Sequence, residues 1–145
     1  MIKEIMCIYI IDEKSNPIFI RENYLQGSGD ANHALFSDFV TALQSFAREF
    51  GEEETRVIEL GDAKILSTKD NITHFLFAIK CESNAKNKKM FGILNQIKNL
   101  YIDKFTGHLA SSEEIKEEIM RSFEIEIIKI ISEPKDKLSN FLKSF

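Results

Sequence analysis

Residues 5–22 have the sequence IMCIYIIDEKSNPIFIRE and predict how the fold begins. The Ile-rich segment favours a strand with at least one covered face, and we assign this strand to Ile2–Ile11. The polar segment Asp12–Pro17 contains Asn-Pro, a pair typical of turns. A second strand is assigned to Ile18–Tyr24, so the stretch predicts a β-hairpin.

The following segment predicts a helix and then three strands. Apolar residues recur at helical spacing over Asn32–Phe50, and Gly51 is a suitable terminator. Three apolar segments separated by two or three turn residues then predict short antiparallel strands. We assign these strands to Thr55–Leu60, Lys64–Thr68 and Ile72–Cys81.

Two further helices are predicted, at Ala85–Phe105 and Ser112–Ile131. Either Ser111 or Ser112 opens the second helix, and Ser111 and Glu114 have the spacing of a capping box. Its last nine residues, FEIEIIKII, also alternate like a strand, but we favour a helix because they continue a capped helical pattern. The first helix has an apolar stripe formed by Met90, Ile93, Leu94, Ile97, Leu100, Tyr101 and Phe105. The stripe of the second helix recurs every four residues, at Ile115, Ile119, Phe123, Ile127 and Ile131.

Residues 134–145 form a short amphipathic tail after the last long helix. Pro134 ends that helix, and Leu138, Phe141, Leu142 and Phe145 follow at helical spacing. The eleven residues after Pro134 are marginal as an isolated helix in water, so the tail needs a surface to dock on. Its own domain is the favoured surface, and a partner protein and a membrane surface are the alternatives.

Composition points to one globular domain and away from nucleic acid. The chain has 145 residues and a formal net charge of −4, and its basic residues alternate with acidic ones. Nucleic-acid binding calls for a continuous basic surface, which this pattern does not supply. No apolar run approaches the ~20 residues that span a bilayer. Cys7 and Cys81 lie in apolar strands, which predicts two buried, unpaired thiols in a cytoplasmic protein.

The sequence predicts no catalytic, cofactor or metal site. The three histidines are scattered, and none has a second ligand at metal spacing. We expect His74 to be a half-buried strand residue. The acidic clusters fall in a turn and on charged helix faces, so we interpret them as solvated, whereas general acid–base catalysis needs a carboxylate in a pocket with a shifted pKa. The Gly-Ser-Gly sequence at 27–29 lacks the Lys-Ser/Thr of a phosphate-binding loop. The lysines at 86, 88 and 89 are interpreted as a solvated helix face.

Two longer stretches carry a family resemblance. The opening hairpin and residues 45–70, SFAREFGEEETRVIELGDAKILSTKD, followed by FLFAIKC, resemble longin domains, especially those of short longin-like proteins of archaea related to eukaryotes. In size the chain is similar to trafficking subunits of the sedlin type. The resemblance implies an α+β fold in β-β-α-β-β-β-α-α order, over residues 1–133. In that fold a five-stranded antiparallel sheet carries one helix on one face and two on the other.

The resemblance also implies a role in protein interaction. Longin and roadblock domains form dimeric platforms that bind or regulate small GTPases or tether membrane-trafficking machinery. A non-catalytic cytoplasmic homo- or heterodimer is therefore expected, with a small GTPase or another longin or roadblock subunit as partner and with membranes reached only through partners. Thr55–Leu60 would be an edge strand, and we expect Ile58→Pro to abolish a dimer. The candidate interface residues are Thr55, Val57, Ile58 and Leu60 of that strand and Leu138, Phe141, Leu142 and Phe145 of the tail.

Two other classes of function stay open. A ligand-sensing or scaffold domain of the PAS or profilin-like kind shares a central antiparallel sheet, and a sizeable apolar pocket with convergent polar groups would favour it. A small enzyme could assemble its site from residues distant in sequence, and function has to be argued from such a site and not from the fold.

Overall fold

The computed structural model describes residues 2–22, 38, 41–42, 55–108 and 110–132, with positions 55 and 56 described by their backbone alone. The predicted helix Asn32–Phe50 lies outside the described residues except at positions 38, 41 and 42, which are helical. The strands are β1 (Ile5–Ile11), β2 (Pro17–Glu22), β3 (Thr55–Leu60), β4 (Ala63–Lys69) and β5 (Leu76–Glu82), and the helices are α1 (Asn87–Phe105) and α2 (Glu113–Ile130).

The five strands form one antiparallel sheet in the order β2-β1-β5-β4-β3. The two hairpins predicted from sequence are joined through β5, which lies between β1 and β4. Central strands β1, β4 and β5 are almost wholly buried, as their apolar runs predict. The arrangement confirms the expected α+β fold with a five-stranded antiparallel sheet.

Side-chain and backbone hydrogen bonds close the turns between neighbouring strands. In the β1–β2 turn the Asp12 carboxylate accepts from the backbone N–H groups of Lys14 and Asn16, both at 2.9 Å. Only Gly61 and Asp62 separate β3 from β4, and Gly61 has φ of +73°. A two-residue hairpin needs left-handed backbone at such a position, which glycine adopts without a Cβ clash.

The prediction that β5 begins at Ile72 is wrong, because residues 70–74 form a turn and the strand starts at Leu76. Asp70 organises this turn: its carboxylate accepts from the backbone N–H of Thr73 at 2.8 Å and from the Thr73 hydroxyl at 2.8 Å. His74 is exposed and has φ of +63°, so the half-buried strand position expected for it is also wrong. The aspartate side chain competes with strand pairing by satisfying these local backbone groups.

The structure divides into two compact units, and the first contains the whole sheet and the start of α1 (Glu4–Leu94). One face of this sheet unit has a buried apolar cluster that draws on every strand. Its members are Cys7, Tyr9, Ile11, Ile65, Leu76 and Ala78, and the partly buried Ile20 and Ile58 pack against it. The cluster ties each edge strand to the centre of the sheet through one side chain, Ile20 from β2 and Ile58 from β3.

A buried lysine links β4 to the start of α1 within the sheet unit. The side chain of Lys64 is 5% exposed, and its ammonium donates to the Ala85 carbonyl at 2.5 Å and to Asn87 Oδ1 at 2.6 Å. Nearby, the exposed ends of Lys89 and Glu4 form an ion pair at 3.7 Å. The two acceptors of Lys64 replace the hydration shell that its ammonium loses on burial, and without them the buried charge would be strongly destabilising.

The second unit contains the rest of α1 and all of α2; its described residues are 2–3, 95–108 and 110–132. Ser112, not Ser111, is the N-cap of α2, and its hydroxyl accepts from the Ile115 backbone N–H. The FEIEIIKII segment is helical up to Ile130, as expected. Three rings form the core between the helices: Tyr101 stacks on Phe105 at 4.4 Å, and Phe123 meets Tyr101 edge-on at 5.4 Å.

Candidate interaction surface

Strand β3 is one of the two sheet edges, as expected. Among the described strands it pairs only with β4, with Val57 opposite Leu66, Ile58 opposite Ile65 and Leu60 opposite Ala63. Backbone N–H and C=O groups on the far side of such a strand offer a template for a further strand. The edge can therefore bind a partner by adding to the sheet.

Two apolar side chains of β3 are exposed to solvent. Val57 is 36% exposed and Leu60 is 40% exposed, and because they are three residues apart in a strand they point to opposite faces of the sheet. A strand that added to this edge would cover part of both side chains. The β3 edge therefore combines a main-chain template with apolar surface on each side of it.

Ile58 has a different role from its neighbours. It is half-buried and packs against the central apolar cluster, which anchors β3 to the sheet. A proline at this position would remove that contact and fix the backbone φ angle of the strand. It would also remove an N–H group needed for pairing with another strand. Ile58→Pro therefore confounds dimerisation with folding, and the exposed Val57 and Leu60 are the better positions to change.

The other edge, β2, is less suited to pairing. It begins at Pro17, which has no N–H to donate, and it ends in the charged pair Arg21 and Glu22. Its large apolar side chain Phe19 is buried, with 8% exposure. Each edge strand carries one arginine and one glutamate, so the difference between them is Pro17 and the burial of Phe19. Proline is a device by which natural sheets protect an edge, so among the described strands the comparison favours β3 as the edge for a partner.

The structure brings together only part of the predicted interface. Val57, Ile58 and Leu60 lie on the same short edge strand, with Thr55 at its start. The four tail residues, Leu138, Phe141, Leu142 and Phe145, lie outside the described residues. Their part in an interface stays a prediction.

Sequence reasoning missed a second exposed apolar site, on α2. Ile125 is 57% exposed and Ile128 is 37% exposed, whereas Phe123 and Ile127 on the same helix are fully buried. Ile115, which was expected in the buried stripe, is 44% exposed. Residues spaced by four advance about 40° around the helix at each step, so the ends of a five-member stripe diverge and cannot all face one core.

Both cysteines are buried and free, as predicted. Loss of hydration raises the pKa of the Cys7 thiol to about 11 and that of the Cys81 thiol to about 11 as well. In the ladder Cys81 is opposite Ile5, and Cys7 is opposite Lys80. A thiol that stays protonated at neutral pH is a poor nucleophile and a poor metal ligand, so these residues act as core side chains.

The described part of the chain contains no cluster of three or more His, Cys, Asp or Glu side chains able to hold a metal ion. Lys86, Lys88 and Lys89 are all exposed at the start of α1, in agreement with a solvated face. Within the segments that the structure describes, neither helix is apolar enough over sufficient length to cross a membrane.

No protein-family model matches the chain, and no curated protein matches it in sequence. The Roadblock/LC7 domain from Streptomyces avermitilis has a similar structure, with a TM-score of 0.50 at 13% identity, over 74% of this chain and 88% of that one. MglB from Myxococcus xanthus gives a TM-score of 0.46 at 12% identity, over 58% of this chain and 69% of that one. A structure titled "MglB with tetrameric arrangement" gives a TM-score of 0.46 at 18% identity, over 81% of this chain and 82% of that one.

The fold assignment rests on the Roadblock/LC7 structure, because the two MglB likenesses fall below a TM-score of 0.5. Roadblock/LC7 domains are longin-like folds, so the expected longin-like fold is confirmed at that level. At 13% identity the likeness concerns the fold alone.

Proposed function

We propose that the chain is a non-catalytic protein-interaction module that pairs through the β3 edge and serves as a platform subunit regulating a small GTPase. The observation that carries the proposal is this edge strand, with its exposed Val57 and Leu60 and no proline within it. The partner at the edge is a second copy of this chain or another longin or roadblock subunit.

Edge pairing has a clear physical basis. Main-chain hydrogen bonds between two β3 strands would supply affinity, and the apolar side chains on either side of the strand would supply buried area. Two copies related by a twofold axis would present the same strand to each other, which is the commonest symmetry of protein dimers. Pairing would also remove an exposed sheet edge, which otherwise promotes aggregation.

The GTPase part of the proposal rests on the longin-like fold and on the family resemblance of the sequence. We place the protein in the cytoplasm, at membranes only through its partners. We extend the proposal in two ways. The platform would serve in membrane tethering or trafficking, and the chain would be related to archaeal longin-like or sedlin-type proteins.

Replacing both exposed β3 side chains by lysine should separate the dimer. Full burial of a Val or Leu side chain stabilises by about 1.5–3 kcal/mol, and a little over a third of each side chain is left to bury, on four side chains in a twofold pair. Losing this burial is expected to weaken association by about a hundredfold. Four lysines would also repel one another across a twofold axis. The expected mass in solution falls from twice 16.7 kDa for the wild type to 16.7 kDa for Val57→Lys/Leu60→Lys, as measured by light scattering during gel filtration.

A charge-matched control is Ile72→Lys/Ile115→Lys, which adds the same two positive charges at other exposed isoleucines. It should stay dimeric, and circular dichroism should show both variants folded. A wild-type monomer, or a β3 variant that keeps the dimer mass, would refute pairing through this edge.

The GTPase is tested by capture from host lysate on the tagged full chain. GDP or a non-hydrolysable GTP analogue is added in parallel, and the expected result is a small GTPase retained in one nucleotide state. Failure to retain any GTPase in either state would exclude the regulator role. It would leave the edge-paired dimer standing as a scaffold, and a small-ligand screen would follow.

A further inference from the structure

The β3–β4 hairpin fixes which backbone groups of β3 point away from the sheet. Two turn residues separate Leu60 from Ala63, and these two residues are paired across the ladder. In a hairpin with a two-residue loop, the pair beside the loop exchanges both of its main-chain hydrogen bonds, and hydrogen-bonded pairs alternate with non-bonded ones along the strands. Every second residue counted from Leu60 therefore bonds to β4. The residues between them, Thr55, Val57 and Glu59, turn their N–H and C=O groups towards the open edge.

A second copy of the chain can pair with this edge only in certain registers. Residues opposite each other in an antiparallel ladder point to the same face of the sheet, so a twofold axis has to pass through the position of one residue of β3. With the axis at Val57, Val57 of one copy lies opposite Val57 of the other, and Thr55 of each copy lies opposite Glu59 of the other. All three outward residues then find partners within the strand.

The register with the axis at Ile58 is poorer. Val57 and Glu59 would still pair within the strand, but Thr55 would face Gly61 of the other copy, which lies in the turn with φ of +73°. The exposed side chain of Val57 would lie opposite an exposed carboxylate, and the two Glu59 carboxylates would become diagonal neighbours. An axis at Ile58 therefore loses backbone hydrogen bonds and brings like charges closer together.

An axis further towards either end of β3 is poorer still. At Glu59 the two carboxylates would lie directly opposite each other, which destabilises a strand pair. Lys64, opposite Glu59 in β4, uses its ammonium on two acceptors at the start of α1. A shift to either side would also leave only three residues of each β3 overlapping (58–60 or 55–57), against five (55–59) with the axis at the centre.

We propose that the partner strand at the β3 edge is β3 of a second copy, paired antiparallel about a twofold axis at Val57. The inference rests on the proposed edge pairing, and it adds the identity of the partner and the register. Val57 is 36% exposed, and in this register the two valines meet at the centre of the interface as a β-branched cross-strand pair. The Glu59 residues of the two copies lie four positions apart along the strands, about 13 Å, so their repulsion is weak.

Single cysteines in the full-length chain test the register. Two residues can form a disulfide when their Cα atoms are within about 7 Å, a condition that opposite residues meet and residues displaced by two positions do not. Val57→Cys is therefore expected to link two chains in a glutathione buffer, with an effective concentration at least about tenfold above that of Ile58→Cys and Glu59→Cys. The native Cys7 and Cys81 are fully buried and do not compete.

Mixing two variants gives a second test that needs no cysteine on the axis. Thr55→Cys chains mixed with Glu59→Cys chains should form a mixed disulfide dimer, whereas neither variant should link to itself. Val57→Cys mixed with Glu59→Cys is the matched control and should give no mixed product, because these positions are opposite only when the axis is at Ile58. Circular dichroism should show every reduced variant folded, and light scattering should give each the dimer mass of twice 16.7 kDa.

The outcomes separate the register from the edge pairing on which it rests. Strongest linking at Ile58→Cys, or a mixed product of Val57→Cys with Glu59→Cys, would overturn the register and leave the edge pairing standing. A wild-type chain with the mass of a monomer would overturn both. A wild-type dimer that none of these cysteines links would also overturn both, because it would place the dimer interface on another surface.

Discussion

Phe123→Ala is expected to lower the free energy of unfolding by about 3–5 kcal/mol, as large-to-small changes of buried aromatic residues do. Phe123 is fully buried, and its ring meets Tyr101 at 5.4 Å and Phe105 at 6.4 Å, both edge-on. Alanine would leave a cavity between α1 and α2 and remove both ring contacts, each of which adds about 0.5–1.5 kcal/mol beyond burial. Urea unfolding followed by circular dichroism measures the loss.

The control for this prediction is Arg121→Ala, two residues earlier on the exposed face of the same helix. Surface substitutions of this kind usually change stability by no more than about 0.5 kcal/mol. A loss below about 1 kcal/mol for Phe123→Ala would mean that Tyr101 and Phe105 close the cavity or that the ring is not buried as described, since the size of the loss depends on how far such a site collapses.

Lys64→Ala is expected to cost about 2–3 kcal/mol, because a buried acceptor left without its donor costs about 1–3 kcal/mol and the lysine stem is lost as well. The lysine ammonium donates to the Ala85 carbonyl and to Asn87 Oδ1, and Ala85 is itself 6% exposed. Alanine has no side-chain donor for the Ala85 carbonyl or for Asn87 Oδ1, so β4 loses its hydrogen-bonded link to the start of α1. Denaturant unfolding again measures the change.

Two further variants separate the hydrogen bonds from the packing. Lys64→Met keeps an apolar stem of similar length and should lose less stability than Lys64→Ala. The stability that Lys64→Met still loses reports the hydrogen bonds. Lys88→Ala, at an exposed position in the first turn of α1, should change stability little or raise it slightly, since a cation near a helix N-terminus opposes the helix dipole. Equal stability of Lys64→Ala and the wild type would contradict the buried-lysine link.

Much of the fold was predictable because local patterns and tertiary contacts agree. The α1 stripe is an example: Met90, Leu94 and Ile97 are fully buried, as their spacing predicts. The last turns of α2 are another, since a capped helical pattern outweighed the strand-like alternation of FEIEIIKII. The start of β5 was not predictable from apolar pattern, because the Asp70 side chain captures backbone groups that a strand would otherwise use.

The candidate site was predictable only as a strand at an edge. Hairpin spacing placed Thr55–Leu60 next to β4, and the family resemblance placed it at the rim of the sheet, where the structure has it. The pattern of alternating residues could not separate Ile58, which packs inward, from Val57 and Leu60, which stay exposed. Which of these three side chains is covered depends on how far the buried apolar cluster extends under the edge strand.

By itself the sequence determined the order and type of the elements, because apolar periodicity, turn residues and caps act over a few neighbouring positions. Only the tertiary structure decided which side chains are covered. Lys64 is buried because two acceptors from the start of α1 reach its ammonium, and Ile125 is exposed because the core of its helix is filled by Phe123 and Ile127. Burial is set by partners distant in the chain, and local sequence carries no record of them.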